Sequence, residues 1–171
     1  MDNSAISKIV SQVVSQMNSG SKCSCDDDCA CVKSITLAQA KRLINKVEQK
    51  AAEIGVNAVV AVSNTGARPV AVECMDDSFI ASYDVALNKA YTVVALKMST
   101  ITLKSMSNPG DSLYGIQFTN NGQIVIFGGG DPLVYNGKII GGLGVSGGTE
   151  DQDTFLSAYG ASVLEEIMKG E

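Results

Sequence analysis

Two Asn-Gly dipeptides in the second half of the chain constrain the fold more than any other feature. Asn121-Gly122 and Asn136-Gly137 are strong hairpin signals, because both residues of the turn tolerate positive φ. They separate short runs with strand character, and an earlier pair of runs flanks a turn at 64–67. The predicted strands are Val56–Ser63, Pro69–Glu73, Gly115–Thr119, Gln123–Phe127, Asp131–Tyr135 and Lys138–Val145. Hairpins of this kind predict a single antiparallel sheet.

Helical segments alternate with these strands. Thr36 and Gln39 fit a capping box that opens a helix, and Gly55 suits the left-handed position after its end. Further helices are predicted over Ser78–Met98, Ser99–Met106 and Asp151–Met168. The order of elements predicts an α/β (α+β) fold, in which helices cover the apolar face of the sheet.

Composition bounds the function. The 171 residues suffice for one domain and an appendage, and 45% of them are hydrophobic. A net charge of −5, with scattered lysines and arginines, argues against nucleic-acid binding. No run of about 18 apolar residues predicts a membrane span, and the N-terminus lacks the pattern of a secretory signal. The expected location is the cytoplasm, where cysteines stay reduced.

The chain contains no histidine. This excludes catalysis by Ser-His-Asp or Cys-His groups, and it excludes histidine-ligated zinc and haem. Acid–base chemistry would fall to Asp, Glu, Lys, Tyr or Cys.

Residues 2–17 are predicted to form an amphipathic helix. Its apolar stripe follows the spacing of one helical face and consists of Ile6, Ile9, Val10, Val13, Val14 and Met17. Such a stripe needs a covering surface, because a short β-branched helix is marginal alone. Docking on a partner is the favoured interpretation, and folding back on the domain or lying on a membrane surface are the alternatives.

A polar linker after this helix carries four cysteines within nine residues: Cys23, Cys25, Cys29 and Cys31. Four thiolates complete a tetrahedral set for zinc or an iron–sulfur cluster. A redox dithiol and a simple acidic linker remain open, because C-x-C spacing is less usual than C-x-x-C. Cys74, near a strand end, is expected to be an ordinary buried residue.

Two glycine clusters mark a candidate ligand site. One is Gly128-Gly129-Gly130, and the other runs from Gly141 through Gly148. At the end of the second cluster, Ser146-Gly147-Gly148-Thr149 precedes a helix, where free amides would suit an anion. The alternative is tight packing and turns. Asp84 and Lys89 fit a solvated helix face by default, and Asp151 and Asp153 fit the favourable placement of acids at a helix start.

The sequence from about 35 to 168 resembles the GlcG / haem-binding HbpS / PduO C-terminal domain family. The most specific segment is Ile140–Asp153, and further matching residues lie throughout the domain. Among them are Gly66, Asp84, Lys89-Ala90, Pro109-Gly110, Leu113-Tyr114-Gly115, Phe127–Gly130 and Pro132. The resemblance implies a profilin-like fold with one antiparallel sheet, a homo-octamer or similar oligomer, and binding of haem or a link to corrinoids. It also raises Lys89 as a site residue, whereas histidine ligation of haem cannot be carried over.

The N-terminal helix resembles the encapsulation peptides of bacterial microcompartments. This resemblance implies a shell protein or a partner helix as the binding partner of residues 2–17, and a lumenal location. The predicted organisation is a targeting helix (1–20), a Cys-rich linker (21–34) and a GlcG/PduO-C-like domain (35–171).

These observations lead to three hypotheses. The first is a microcompartment-associated accessory protein that binds a tetrapyrrole or another small anionic ligand, without catalysis of its own. The second is an iron–sulfur or zinc-carrying electron-transfer protein that uses the cysteine cluster. The third is a small enzyme acting on a hydroxy acid or aldehyde, which ranks last because no activated nucleophile is evident.

Overall fold

The fold is described from a computed structural model, which covers residues 34–169. Five helices lie in this range: α1 (Leu37–Glu53), α2 (Ser82–Ala95), α3 (Thr100–Lys104), α4 (Glu150–Ser162) and α5 (Leu164–Lys169). The strands are β1 (Val59–Asn64), β2 (Pro69–Cys74), β3 (Gly130–Tyr135) and β4 (Lys138–Ser146). The predicted targeting helix, and the linker up to residue 33, lie outside the described residues.

The four strands form one antiparallel sheet in the order β2-β1-β4-β3. Strand β1 is central and buried on both faces, so its first four side chains, Val59–Val62, are apolar without alternation. Asn136 and Gly137 both have positive φ and connect β3 to β4, as predicted. The α+β fold with a single antiparallel sheet is therefore confirmed.

Helices cover both faces of the sheet. Val60, Val62 and Leu143 pack on one face with α1, α4 and α5, whereas Val59 and Ala61 pack on the other with α2. Helix α2 approaches β4 very closely, because a Cβ on Gly142 or Gly144 would collide with the α2 backbone. Close packing of α2 on β4 therefore explains why these two positions are glycines. No helix in the range 34–169 is both long and apolar enough to cross a membrane.

Two predicted strands are wrong. The segment Gly115–Thr119 contains a 3-10 turn (Ile116–Phe118), and Asn121-Gly122 lies in a second turn (Asn120–Gly122) instead of a hairpin. In Gln123–Phe127, the Val125 amide donates to Thr92 Oγ1 of α2 at 3.0 Å. A helix side chain therefore takes the place of a neighbouring strand, and the sheet ends at β3.

Three further differences concern boundaries and burial. The predicted helix Ser78–Met98 begins only at Ser82, and the predicted last helix is divided at Val163 into α4 and α5. Cys74 is exposed and not buried, because it ends the edge strand β2.

Candidate functional site

A cleft of about 300 Å³ opens where β4 ends and α4 begins. Its walls come from the loop before α2, from α2, from the segment before β3 and from the β4–α4 connection. The lining residues are Phe79, Ala81, Ser82, Val85, Phe127, Ser146, Gly147, Gly148, Glu150 and Asp153. A second hollow of about 230 Å³ shares Phe79, Gly147 and Gly148 with it. We call the first hollow the Phe79–Phe127 cleft.

A buried ion pair lies behind the cleft. Lys89 Nζ donates to Asp153 Oδ2 at 2.8 Å and to the carbonyl oxygen of Val145 at 2.7 Å, and the Lys89 side chain is fully buried. The ammonium group also lies 5.0 Å from the ring centre of Phe127. Burial lowers the pKa of Lys89, and the Asp153 carboxylate acts against that decrease. The default interpretation of Lys89 as part of a solvated face is therefore wrong.

Gly129 makes room for this ion pair. Its φ is 106°, and a Cβ at this position would lie 2.6 Å from Lys89 Nζ and 2.8 Å from the Val145 oxygen. The Gly129 carbonyl also accepts the Val145 amide at 2.8 Å. Glycine is required here for both its conformation and its size.

Glu150 fixes the start of the same glycine turn. Its Oε1 accepts the Gly128 amide at 2.8 Å, while its Oε2 forms an ion pair with Lys104 of α3. These two interactions, the Gly128 amide first, lower the pKa of Glu150. Gly130 is fixed similarly, since its amide donates to Thr100 Oγ1 at 2.9 Å. The cluster Gly128-Gly129-Gly130 is thus buried structure behind the cleft.

The amides predicted to receive an anion are already used within the domain. The Gly148 amide donates to Asp153 Oδ1 at 3.0 Å, and the Thr149 amide donates to Gln152 Oε1 at 2.9 Å. Thr149 itself caps α4 in a capping box with Gln152. Of the predicted ligand-binding residues, Ser146, Gly147 and Gly148 line the cleft, whereas Lys89 and the first glycine cluster support it from behind.

Several lining residues were missed from the sequence. Asp153 was attributed to the helix start alone, yet it holds both Lys89 and the Gly148 amide. Phe79 and Phe127, which are 70% and 42% exposed, carried no periodic signal because both lie in loops. Lys89 does not line the cleft, but the sequence does carry a signal for its burial. It lies on the apolar α2 stripe of Ala86, Ala90 and Val93.

Cys23, Cys25, Cys29 and Cys31 lie outside the described residues, and so does the N-terminal stripe. Within 34–169, the structure brings together no group of His, Cys, Asp or Glu side chains that could hold a metal ion.

The architecture defines an α+β domain with an open antiparallel sheet and a cleft at one end of its central strands. A family model described as haem degrading protein HbpS-like matches residues 35–162. The chain therefore belongs to the HbpS-like family, as the resemblance predicted.

Individual relatives agree with this assignment. An uncharacterised 15.0 kDa protein from the dhaT-dhaS intergenic region of Citrobacter freundii is 46% identical over 136 residues, which cover 80% of this chain and 96% of that protein. The corrinoid adenosyltransferase PduO of Citrobacter freundii is 34% identical over 120 residues. That match covers 70% of this chain but only 36% of PduO.

Among solved structures, the PduOC:haem complex superimposes with a TM-score of 0.72 at 31% identity, covering 75% of this chain and 94% of that one.

Proposed function

We propose that the domain binds a tetrapyrrole in the Phe79–Phe127 cleft. The observation that carries this proposal is the pair of exposed aromatic rings across one cleft, with Val85 and Ala81 extending the apolar wall. Ligand sites are concave and mostly apolar, with a few placed polar groups, and this cleft has that character.

The relatives support the same ligand class. One solved relative is named as a haem complex, and the family description is that of a haem-degrading protein. Another relative is a corrinoid adenosyltransferase, but the matching part is about a third of it. Haem is therefore the better-supported tetrapyrrole, and a corrinoid is the alternative.

The cleft is better suited to packing against the tetrapyrrole ring than to ligating the metal at its centre. Phe79 and Phe127 can pack on a flat ring, whereas the residues that line the cleft include no His, Cys, Met or Tyr to ligate iron. The Asp153 and Glu150 carboxylates are already engaged by Lys89, by Lys104 and by backbone amides. We therefore expect binding to depend on the ring and its substituents, with metal-free protoporphyrin IX binding about as well as haemin.

Absorbance and fluorescence titration with haemin and with protoporphyrin IX tests this proposal. We expect Phe127→Ala and Phe79→Ala to weaken binding of both by about tenfold or more, because each buries a large ring against the ligand. Phe118→Ala is the matched control, since Phe118 is 82% exposed and does not line the cleft. If all three variants bind like the wild type, the site is wrong.

We further propose that the protein is an accessory component of a bacterial microcompartment, within the cytoplasm. Residues 2–17 would dock on a shell protein or partner helix through Ile6, Ile9, Val10, Val13, Val14 and Met17. A fluorescent reporter fused to residues 1–20 and expressed with a shell should form foci. Diffuse fluorescence, equal to that of an Ile9→Asp/Val13→Asp control, would refute the targeting role.

We also propose that the protein associates with further copies of itself, since the family resemblance implies an octamer. Ile80 is 96% exposed and lies beside Phe79 and Tyr83, which are also exposed. Exposed apolar residues grouped in this way favour an interface with a second copy. Light scattering of the wild type and of Ile80→Asp tests it: a monomeric wild type would refute it, and a reduced mass of the variant would support it.

The cysteine cluster carries a second candidate function, because four thiols lie within nine residues. Bound zinc or an iron–sulfur cluster would make the protein a metal carrier or electron-transfer protein. Anaerobic purification followed by metal analysis decides this. We expect iron or zinc in stoichiometric amount, and we expect it to be lost in a variant with Cys23, Cys25, Cys29 and Cys31 changed to Ser. Trace metal with four free thiols would exclude metal binding by the cluster.

A further inference from the structure

Ser82 and Ser146 form a hydroxyl pair in the wall of the Phe79–Phe127 cleft. The Ser146 hydroxyl donates to Ser82 Oγ at 3.1 Å. Both residues line the cleft, yet only 5% of Ser82 and 7% of Ser146 is exposed. They join the start of α2 to the end of β4, two segments that are 64 positions apart in the sequence.

The pair has an unused donor. Ser82 Oγ accepts the hydrogen bond from the Ser146 hydroxyl, and within residues 34–169 the Ser82 hydroxyl itself donates to no acceptor. Buried hydroxyl groups are normally satisfied as donors, because an unmade hydrogen bond costs free energy. The cleft that Ser82 lines is the direction from which a partner can come.

The surroundings favour an anionic partner. Helix α2 begins at the cleft with Ala81 and Ser82, and its N-cap residue Ala81 supplies no capping oxygen. The amides of Ser82 and Tyr83 already donate to the carbonyl oxygens of Phe79 and Ile80. The Ser82 hydroxyl, at the positive end of the helix dipole, is therefore the donor that is left for a ligand. The two carboxylates of the cleft are neutralised: Asp153 pairs with Lys89 and Glu150 pairs with Lys104. Asp84 lies in the first turn of α2 but does not line the cleft.

We infer that Ser82, supported by Ser146, binds a carboxylate group of the ligand at the start of α2. The apolar body of that ligand lies against Val85 and Phe127. The shared chemistry is an apolar molecule with a carboxylate, either a propionate of a tetrapyrrole or a free aliphatic carboxylic acid. This inference rests on the proposed function for the location of the cleft. The Ser82 hydroxyl takes the anion-binding role that the sequence predicted for the Gly148 and Thr149 amides.

The test compares protoporphyrin IX with its dimethyl ester, titrated into the full chain in the same detergent solution. We expect the free acid to bind about tenfold more tightly than the ester, the gain of one hydrogen bond to a charged group. Ser82→Ala should remove that preference by weakening only the acid, and Ser146→Ala should reduce it. Ser107→Ala is the matched control, since it removes another buried hydroxyl, which donates to Leu103 away from the cleft. Thermal unfolding of each variant checks that it is folded.

Octanoate provides the second arm of the experiment. Competition by octanoate in the wild type but not in Ser82→Ala would identify free carboxylic acids as ligands, whereas no competition would restrict the site to tetrapyrrole carboxylates. An ester that binds as well as the acid, with no effect of Ser82→Ala, would overturn the inference and leave tetrapyrrole binding intact. Octanoate that binds through Ser82 while no porphyrin binds would refute the tetrapyrrole and retain the carboxylate site. Binding of none of these probes would refute both.

Discussion

Lys89 Nζ lies 2.8 Å from Asp153 Oδ2, and this buried ion pair joins α2 to α4 directly behind the Phe79–Phe127 cleft. Both charged groups have further partners, because Lys89 also donates to Val145 and Asp153 also accepts the Gly148 amide. The pair therefore links the two helices, the end of β4 and the cleft wall in one polar network.

Breaking this pair on one side should be costly. We expect Lys89→Met and Asp153→Asn each to lower the free energy of unfolding by about 3–5 kcal/mol, because each leaves a buried polar partner uncompensated. Urea unfolding at fixed protein concentration measures this.

The exposed ion pair between Lys169 and Glu165 gives the control. Glu165→Gln should cost no more than about 0.5 kcal/mol, as is usual for exposed pairs on a helix. A Lys89→Met variant as stable as Glu165→Gln would contradict the structural role of the buried pair.

Gly129 offers a second test, with a matched glycine elsewhere. Both Gly129 and Gly137 have positive φ, but a Cβ on Gly137 meets no atom within 4 Å, whereas one on Gly129 meets Lys89 Nζ at 2.6 Å. Gly137→Ala should cost about 1 kcal/mol from backbone strain alone. Gly129→Ala should cost about 3 kcal/mol, since its φ of 106° lies outside the left-handed region that alanine can reach and overpacking adds to that larger strain. Equal midpoints in urea for the two variants would show that the turn can relax.

The outcome at these residues shows what a sequence can predict here. The Asn136-Gly137 hairpin and the Thr36 capping box were predicted correctly, because both are local and depend on neighbouring residues. Lys89 and Asp153 were not paired, because their contact depends on the packing of α2 and α4, which no local pattern encodes.

The hairpin predicted at Asn121-Gly122 was wrong for a related reason. The dipeptide does place residues at positive φ, as its composition requires, but the flanking segment meets Thr92 of α2 and not a strand. A turn signal fixes the local backbone, whereas the partner of the following residues is decided by tertiary structure.

That contact provides a third prediction. Thr92 is fully buried, and its Oγ1 accepts the Val125 amide while donating to the Asn88 carbonyl at 2.7 Å. Thr92→Val keeps the shape but leaves a buried amide without an acceptor, so we expect a loss of about 1–3 kcal/mol. Thr119→Val, at an exposed hydroxyl, should change stability by less than about 0.5 kcal/mol. Hydrogen exchange at the Val125 amide should accelerate only in Thr92→Val; unchanged protection would refute the assigned hydrogen bond.

Asp131 on β3 is a partly buried carboxyl group with one side-chain partner. Its Oδ2 accepts the Ser157 hydroxyl at 2.6 Å. Burial raises the pKa of Asp131, and the hydrogen bond from Ser157 only partly opposes the increase. The folded protein therefore holds this proton more tightly than the unfolded chain does.

The sign of the pH dependence follows from this raised pKa. Between the ordinary aspartate pKa of about 3.9 and the raised value, the folded state binds more protons, so the contribution of Asp131 to stability falls as the pH rises through that window.

Asp131→Asn keeps an acceptor for Ser157 without the charge. We expect this variant to be more stable than the wild type at pH 7, with a difference that shrinks steadily as the pH falls toward 4. Asp76→Asn, which removes an exposed carboxylate, is the control for the change in net charge. Urea midpoints measured from pH 4 to 7 give all three curves, and a constant difference between Asp131→Asn and the wild type would show that the Asp131 pKa is not raised by folding.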